Sequence, residues 1–197
     1  MKKAKHIFDN KTLENENLSN QILNFSLINK STFLNCKINN TLFKESQVFE
    51  SHFKDCDLSY INFQSCTFKN VKFENCNLNQ SVFNSTNFEN LEILDSKCEK
   101  LQDRGTHFKE VTFIKNNFIK CDFNRSTFES GKFDNLIFQD CKMFMFFCFK
   151  IFLNNVNIIN SNLTLAKIIN CKKINTSLTK NNKTLCFFEK NDTKFNL

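Results

Sequence analysis

Apolar residues recur at every fifth position along most of this chain. Stepping in fives from Phe8 to Ile168 gives 33 positions, and 32 of them are Phe, Leu, Ile, Val, Met or Cys; Asp103 alone breaks the series. Since only 41% of the 197 residues are hydrophobic, chance does not produce such a run. A period of five fits neither the 3.6 residues of an α-helix turn nor the alternation of a β-strand. The chain is therefore predicted to form a repeat architecture with its own turn geometry.

A second register, of small residues, accompanies the first. Two residues before each apolar centre, from Ser31 to Cys141, 18 of 23 positions hold Ser, Thr, Cys, Val or Gly. The segment Cys66-Thr-Phe68 shows the resulting unit, which is small-x-apolar-x-x. Over about residues 26–171 this pattern resembles the pentapeptide-repeat family.

The family resemblance implies an all-β fold, the right-handed quadrilateral β-helix, here with about eight coils. Each five-residue unit would form one side, four sides would form a coil, and coils would stack at the ~4.8 Å spacing of neighbouring strands. The centre and the small residue would point inward, so residues 20 apart should form internal columns. We expect one column to contain Phe33, Phe53, Phe73, Phe113 and Phe133, and another to contain Phe68, Phe88, Phe108 and Phe128.

The composition argues against an enzyme. The chain has 26 Phe but no Trp and no Pro, and its only glycines are Gly105 and Gly131. These two glycines cannot form a G-x-G-x-x-G turn or a P-loop, so a Rossmann nucleotide site in its usual form is excluded. His52 and His107 directly precede apolar centres and should face solvent on a convex rod without a cleft. We predict no enzymatic activity and no cofactor.

Most of the ten cysteines occupy inward positions of the repeat. Cys98 and Cys148 stand at apolar centres, and seven others fill the small slot: Cys36, Cys56, Cys76, Cys66, Cys121, Cys141 and Cys171. Free cysteine behaves as a small buried hydrophobe, so packing is the expected role. The first three of the seven would stack closely enough for a disulfide or a soft metal ion. Because there is no C-x-x-C motif and no histidine in register, we predict no metal site.

The repeat weakens at both ends. Before residue 26 the small slots hold larger polar residues such as Lys11 and Glu16, so residues 1–25 are interpreted as an N-terminal cap or irregular first coil. Lys173 and Lys183 fall on centre positions, which makes residues 172–197 the opposite cap or tail. The β-helix itself is predicted over residues 26–171, with a joint near residues 100–106.

The break at Asp103 predicts a local bulge. A carboxylate lying unpaired between Phe83 and Phe123 would be costly, so the chain should turn outward here. Gly105 permits the backbone angles of such a turn. Two alternatives stay open: a structural bulge or joint between two half-solenoids, or a contact loop formed by Asp103, Arg104 and Gly105.

The segment 143–153 is rich in apolar residues. The register places five of them outside, as a contiguous exposed patch of a kind that monomers avoid: Phe144, Met145, Phe147, Phe149 and Phe152. A symmetric partner could cover this patch, and we predict a homodimer on that basis. The alternatives are the protein's own tail, a membrane surface or a foreign protein, the tail acting through Leu185, Phe187 and Phe188.

The net charge of +7 lies in the second half of the chain. Residues 1–100 carry 12 basic and 12 acidic side chains, and residues 101–197 carry 15 and 8. A basic half favours an acidic partner. However, Lys115, Lys120 and Arg125 occupy successive sides and would wrap around the coil, so direct nucleic-acid binding is not favoured. No signal peptide or transmembrane segment is recognised, and the expected location is the cytoplasm, where the cysteines stay reduced.

Within the family, the sequence is similar to the Qnr group and its relatives MfpA and McbG, which are dimeric and act on DNA gyrase. Residues 133–144 run in step with the Qnr stretch before a two-tryptophan motif at the dimer interface, and Phe144 and Cys148 stand at the tryptophan positions. The resemblance implies a type II topoisomerase as partner. Qnr-like proteins present acidic faces, whereas the column Asp55-Asn75-Asp95-Lys115 is not an acidic ladder.

The predicted function is that of a rigid, non-enzymatic protein-interaction rod. Its most specific form is Qnr-like binding to DNA gyrase or topoisomerase, with protection against quinolones or toxins. The alternative is a scaffold or effector solenoid with an unrelated protein partner, and a nucleic-acid-binding solenoid is the least favoured interpretation.

Overall fold

Five-residue turns wind residues 5–188, the part of the chain that the computed structural model describes, into a solenoid of about nine coils. Strand residues pair in parallel with residues 20 positions further along, as Phe33 does with Phe53 and Phe53 with Phe73. Four five-residue sides make one 20-residue coil, so the predicted four-sided, all-β solenoid is confirmed. Within these residues no helix is long and apolar enough to span a lipid bilayer.

Seventeen strands of the described residues join a single parallel sheet that wraps around the core. Most of them span three residues and form one side of a coil, whereas the longer ones continue across corners. In chain order the strands are β1 (Ile7–Asp9), β2 (Thr12–Glu14), β3 (Leu27–Asn29), β4 (Thr32–Leu34), β5 (Gln47–Phe49), β6 (His52–Lys54), β7 (Thr67–Glu74), β8 (Asn87–Leu94), β9 (Lys97–Glu99), β10 (His107–Ile114), β11 (Asn117–Ile119), β12 (Thr127–Gln139), β13 (Phe147–Ile159), β14 (Lys167–Ile169), β15 (Lys172–Ile174), β16 (Ser177–Thr179) and β17 (Phe187–Phe188).

Every fifth residue turns the chain through a left-handed backbone conformation. These corner positions lie two residues after each centre, from Asn10 to Leu185, and all have φ between 46° and 65°. Asparagine holds 13 of them. Its short polar side chain can bond locally and makes positive φ less costly than for other non-glycine residues. A chain without proline and with two glycines can therefore turn at every coil corner.

Phenylalanine rings fill the interior as columns. Phe33 stacks on Phe53 with centroids 4.7 Å apart and planes 9° apart, and Phe113 stacks on Phe133 at 5.2 Å and 3°. Neighbouring columns meet edge to face, as Phe113 and Phe128 do at 6.0 Å and 80°. Burial contributes about 1.5–3 kcal/mol for each such side chain. The largest fully buried side chains are all Phe: Phe33, Phe43, Phe53, Phe63, Phe68, Phe73, Phe108, Phe113, Phe118, Phe123, Phe128 and Phe133.

The small slot has a second task besides fitting under the turn. In many slots the hydroxyl or thiol donates to the carbonyl oxygen of a centre residue 23 positions earlier, on the preceding coil, whereas in others, such as Ser51, it donates to the carbonyl two residues before it. Ser81 Oγ donates to the Leu58 oxygen at 2.9 Å, and Thr86 Oγ1 donates to the Phe63 oxygen at 2.8 Å. This bond explains why Ser, Thr and Cys predominate in the slot, because each offers a short donor.

The terminal coils have a regular backbone, which differs from the irregular first coil that the sequence suggests. β1 pairs with β3 and β2 with β4 in the same register as the coils that follow. Phe8 and Leu13 are only partly buried and pack against the core as its first layer. At the other end the ladder continues to Phe188, and Lys173 is buried at a centre position. The terminal coils therefore differ from the central coils in their side chains and not in their backbone.

The predicted bulge at Asp103 is absent, as is the predicted joint. Gln102 bridges to Val82 on the coil before and to Asp122 on the coil after, and Gly105 is a corner like the others. Asp103 points inward and is 3% exposed. Burial raises the pKa of the Asp103 carboxyl to about 8, so it stays protonated and neutral below that pH. A neutral carboxyl costs far less to bury than the carboxylate that predicts a bulge.

Candidate interaction surface

An apolar surface lies on the outside of the C-terminal coils. Met145, Leu165 and Leu185 stand 20 residues apart in one corner column, and Phe147 and Phe187 flank them on the next side of the coil. Met145 is 44% exposed, Leu185 77% and Phe187 53%. We call these five residues the C-terminal apolar face.

The corner column of this face is an unfavourable place for apolar side chains. Met145, Leu165 and Leu185 have φ of 54°, 58° and 53°. A left-handed conformation costs an ordinary L-residue about 1–2 kcal/mol, and least when the residue is Gly or Asn. Earlier in the same column the corners include Phe25, Ser85, Gly105 and Arg125, so large apolar residues are consecutive only at its C-terminal end. Neither the turn geometry nor core packing explains three consecutive large apolar residues at these positions. Exposed apolar patches of this kind mark interaction sites.

A groove of about 500 Å³ runs along the C-terminal apolar face. Phe147, which lines one side of the groove, is held in place by stacking on Phe149, with ring centroids 6.0 Å apart and ring planes 11° apart. The groove has the size of a pocket that receives one or a few side chains of a partner. It is lined by Met145, Phe146, Phe147, Leu165, Lys167 and Leu185.

The five residues predicted to lie outside in segment 143–153 do so at least in part, but on three successive sides of the coil. Phe144 and Met145 end one side, β13 begins with Phe147 and Phe149 on the next, and Phe152 follows on the third. The rings at the far edge are covered by cations of the same chain. Lys150 Nζ lies 4.9 Å from the Phe149 centroid, and Lys172 Nζ lies 5.9 Å from that of Phe152. The uncovered surface is thus centred on Met145.

Three residues of the face lie outside segment 143–153, and the sequence argument does not assign them to it: Leu165, Leu185 and Phe187. The signal that finds them is the 20-residue spacing from Met145 and the 40-residue spacing from Phe147. Leu185, Phe187 and Phe188 do not fold back over the patch as the tail alternative requires. The Phe187 amide donates to the Ala166 oxygen at 2.9 Å, and Phe188 pairs with Ile168. These residues enlarge the apolar surface instead of covering it.

Outside this face, Ile7, Ile22, Tyr60 and Ile174 are also exposed, and much of the outward surface sets amides against carboxylates. Asn75 Nδ2 donates to Asp55 at 2.7 Å, and Asn160 Nδ2 donates to Asp140 at 2.6 Å. Lys115 lies 3.8 Å from Asp95. Each of these carboxylates thus meets an amide or an ammonium group on the adjacent coil. These contacts stiffen the outside of the rod and agree with the mixed-charge columns of the sequence.

The two histidines considered as catalytic candidates sit on side walls beside carboxylates. His52 Nε2 lies 3.3 Å from Glu74, which also binds Lys72 at 2.6 Å and Lys54 at 3.1 Å. Hydrogen bonds from these lysines lower the pKa of Glu74 to about 2, and burial lowers the pKa of His52. An ionised carboxylate and a neutral imidazole on a wall of the rod form a structural ion cluster. Among residues 5–188 no group of three metal-ligating side chains comes together.

Comparison with known proteins finds a match for the five-residue repeat of this chain. The family model for a pentapeptide repeat region matches residues 26–102. No curated protein shows significant sequence similarity to the chain.

Solved pentapeptide-repeat structures are similar over most of the chain at low identity. HetL from the cyanobacterium Nostoc sp. strain PCC 7120 is 10% identical, with 91% of this chain and 87% of HetL covered and a TM-score of 0.34. Full-length QnrB1, a plasmid-mediated fluoroquinolone resistance protein, is 12% identical, with 93% of each chain covered and a TM-score of 0.34. Residues 26–102 thus match a pentapeptide repeat region, and the described coils on both sides of them keep the same five-residue turn.

Proposed function

We propose that this chain is a non-enzymatic protein-interaction rod that forms a homodimer through its C-terminal apolar face. The observation that carries the proposal is the column Met145, Leu165 and Leu185, flanked by Phe147 and Phe187. The left-handed φ at these corners is unfavourable for large apolar residues, and the side chains do not pack in the core. Burial of the apolar surface against a partner would offset this cost. A two-fold axis through the groove brings the same apolar surface of two copies together.

The molecular mass in solution tests the dimer. Light scattering of the purified full chain at micromolar concentration is expected to give twice the mass of the single chain. Dilution should shift the mass towards that of a monomer without loss of the β-sheet circular dichroism signal. A monomer mass at every concentration contradicts the dimer.

As partner of the rod we propose a type II topoisomerase, DNA gyrase. The support is the sequence resemblance of residues 133–144 to the Qnr group, together with the rigid, rod-shaped fold. Binding would have to rely on the shape of the rod and on the asparagine amides of its surface, because the chain has a net charge of +7 and its acidic side chains bond to amides and lysines. Direct DNA binding is less favoured, since Arg104 is held by Asp122 at 2.7 Å and Lys115 lies beside Asp95. We place this activity in the cytoplasm, where all ten cysteines would stay reduced.

A gyrase supercoiling assay with and without a quinolone tests the partner. Added protein is expected to change the supercoiling activity or its inhibition by the drug. If micromolar protein changes neither, gyrase is not the partner, and a scaffold with an unrelated protein partner becomes the better account. Affinity capture from the native host then identifies that partner by mass spectrometry.

A further inference from the structure

The 23-residue contact between adjacent coils creates two equivalent cysteine pairs. Many small-slot side chains reach the centre residue 23 positions earlier, as Ser81 reaches Leu58. Cysteine occupies both positions twice, at Cys98 with Cys121 and at Cys148 with Cys171. The two pairs share the same place in the repeat, so any difference between them comes from their surroundings.

The sulfur atoms are arranged differently in the two pairs. Cys148 Sγ and Cys171 Sγ are 3.6 Å apart, in van der Waals contact. A disulfide needs a separation of about 2.05 Å, so the two sulfur atoms must move together by roughly 1.5 Å. In the other pair the Cys121 thiol donates to the backbone oxygen of Cys98 at 2.9 Å, and the Cys98 thiol faces the Ser96 oxygen at 4.0 Å. Cys171 Sγ also contacts the carbonyl oxygens of Cys148 and Ile169, at 3.6 and 3.4 Å, so the sulfur–sulfur contact is what distinguishes the first pair.

A basic side chain lies beside one of the two pairs, whereas Asp103, beside the other pair, is neutral below about pH 8. Lys173, buried two residues after Cys171, acts to lower the pKa of both thiols, but the hydrogen bond with Cys171 and burial raise the pKa of Cys148 well above its usual value. The hydrogen bond with Cys148 is the main cause that lowers the pKa of Cys171. Burial and then the Asp103 carboxyl raise the pKa of Cys98. Since the thiolate is the nucleophile in thiol oxidation, Cys171 is the better nucleophile of the two pairs, and the Cys148 sulfur lies in contact with it.

We propose that Cys148 and Cys171 are a peroxide-sensitive thiol pair, whose disulfide staples two adjacent coils at the C-terminal end of the rod. This inference does not rest on the dimer or on gyrase. The side chains are 1% and 4% exposed, so oxidation requires local opening of the terminal coils and is slower than that of a surface thiol.

The reaction consumes one hydroperoxide for each disulfide. The Cys171 thiolate attacks one oxygen of the hydroperoxide, the O–O bond breaks, and the other oxygen leaves as an alcohol, or as water from hydrogen peroxide, after taking a proton. Cys171 is then a sulfenic acid. The Cys148 sulfur attacks the Cys171 sulfur, the S–O bond breaks, and the hydroxyl leaves as water with the proton of Cys148. The two thiols together lose two protons and two electrons, which the hydroperoxide accepts.

Peptide mapping of the full chain tests the proposal. The protein is treated with hydrogen peroxide, blocked with N-ethylmaleimide and digested with trypsin. We expect residues 143–150 to be recovered linked to residues 168–172, two hydrogen atoms lighter than the sum of the two free peptides. The linked peptides 98–100 and 121–125 report on Cys98 and Cys121 as the internal control. Equal or faster linkage of the control pair overturns the proposal, as does recovery of free Cys148 and Cys171 at peroxide levels that oxidise the unfolded chain.

Two matched variants separate the staple from general oxidation. Cys171→Ser should fold normally, because Ser31 and Ser51 occupy the same column of small slots. It should lose the cross-link and the rise in unfolding temperature that peroxide produces in the wild-type protein. Cys121→Ser should keep both. If Cys171→Ser proves unstable, Cys148→Ala serves with the same readouts. A peroxide-dependent rise that persists in these variants contradicts the assignment.

Discussion

The ring of Phe128 lies on the ring of Phe108 with 4.3 Å between centroids and 8° between planes. Phe88 continues the column on the other side of Phe108 at 4.8 Å and 4°. Each coil thus contributes one ring to a continuous stack, and a coil contacts little besides its two neighbours. Stability in such a fold is close to a sum of neighbour terms. A change in the middle of the column should therefore weaken two interfaces at once.

Replacing Phe108 by Ala should lower the free energy of unfolding by about 3–5 kcal/mol, because the variant leaves a cavity between two rings. Urea denaturation followed by circular dichroism measures this change. Phe49→Ala, in which the lost ring is on the outer surface and only partly buried, should cost about 0.5–1 kcal/mol. Similar losses in the two variants contradict a core built from stacked rings.

The two glycines should respond oppositely to substitution. A β-carbon at Gly131 would collide with the backbone carbonyl of Val111, which belongs to the sheet and cannot move aside. Gly131→Ala should therefore destabilise the protein by at least about 1–3 kcal/mol. Gly105 has open space around its α-carbon and a corner φ of 65°, where asparagine is common, so Gly105→Asn should stay within about 0.5 kcal/mol of the wild type. Thermal unfolding of the two variants measures this difference. A Gly131→Ala variant as stable as the wild type contradicts the close contact between Gly131 and the Val111 carbonyl.

Asp103 should make stability fall as pH rises. In the unfolded chain an aspartate has a pKa near 3.9, whereas burial raises the pKa of Asp103 to about 8 in the fold. Between these values the folded state binds more protons than the unfolded state. The free energy of unfolding should therefore decrease by up to about 1.4 kcal/mol per pH unit from about pH 4 to about pH 8, and this contribution levels off above.

The variant Asp103→Asn isolates this effect. Its amide stays neutral, so the difference in unfolding free energy between variant and wild type should grow in favour of the variant from pH 5 to pH 8. Asp95→Asn, an exposed corner residue, is the control and should show no such trend. A difference between Asp103→Asn and wild type that is independent of pH contradicts a buried, protonated carboxyl.

The period of five predicts a repeat fold with inward cysteines, and the family resemblance that it carries implies the four-sided coil. It works because a side chain that points inward on every side must be apolar, and because coils of equal length place residue 28 beside residue 48 and every later partner 20 positions on. The left-handed corners were not predicted, although their signal is present in the sequence. Asparagine is frequent two residues after each centre, as at Asn35, Asn40 and Asn75, because it tolerates positive φ.

The burial of Asp103 and the full extent of the C-terminal apolar face depend on contacts between coils, which the five-residue pattern does not show. A carboxylate at position 103 predicts a bulge, but the structure buries the side chain, and burial raises its pKa to about 8, so that it is neutral at lower pH. The C-terminal apolar face was recognised only at Met145 and Phe147. Leu165 and Leu185 look like isolated corner residues until the coils stack them into the same column.

The most direct test of the interaction surface changes its corners to the residue that the backbone prefers. Asparagine fits positive φ, so the triple variant Met145→Asn, Leu165→Asn, Leu185→Asn should fold at least as stably as the wild type while losing the apolar column. Phe25→Asn, at the opposite end of the same corner column, is the matched control. The account predicts by light scattering that the wild type and the control are dimers and the triple variant is a folded monomer. A triple variant that remains a dimer contradicts it.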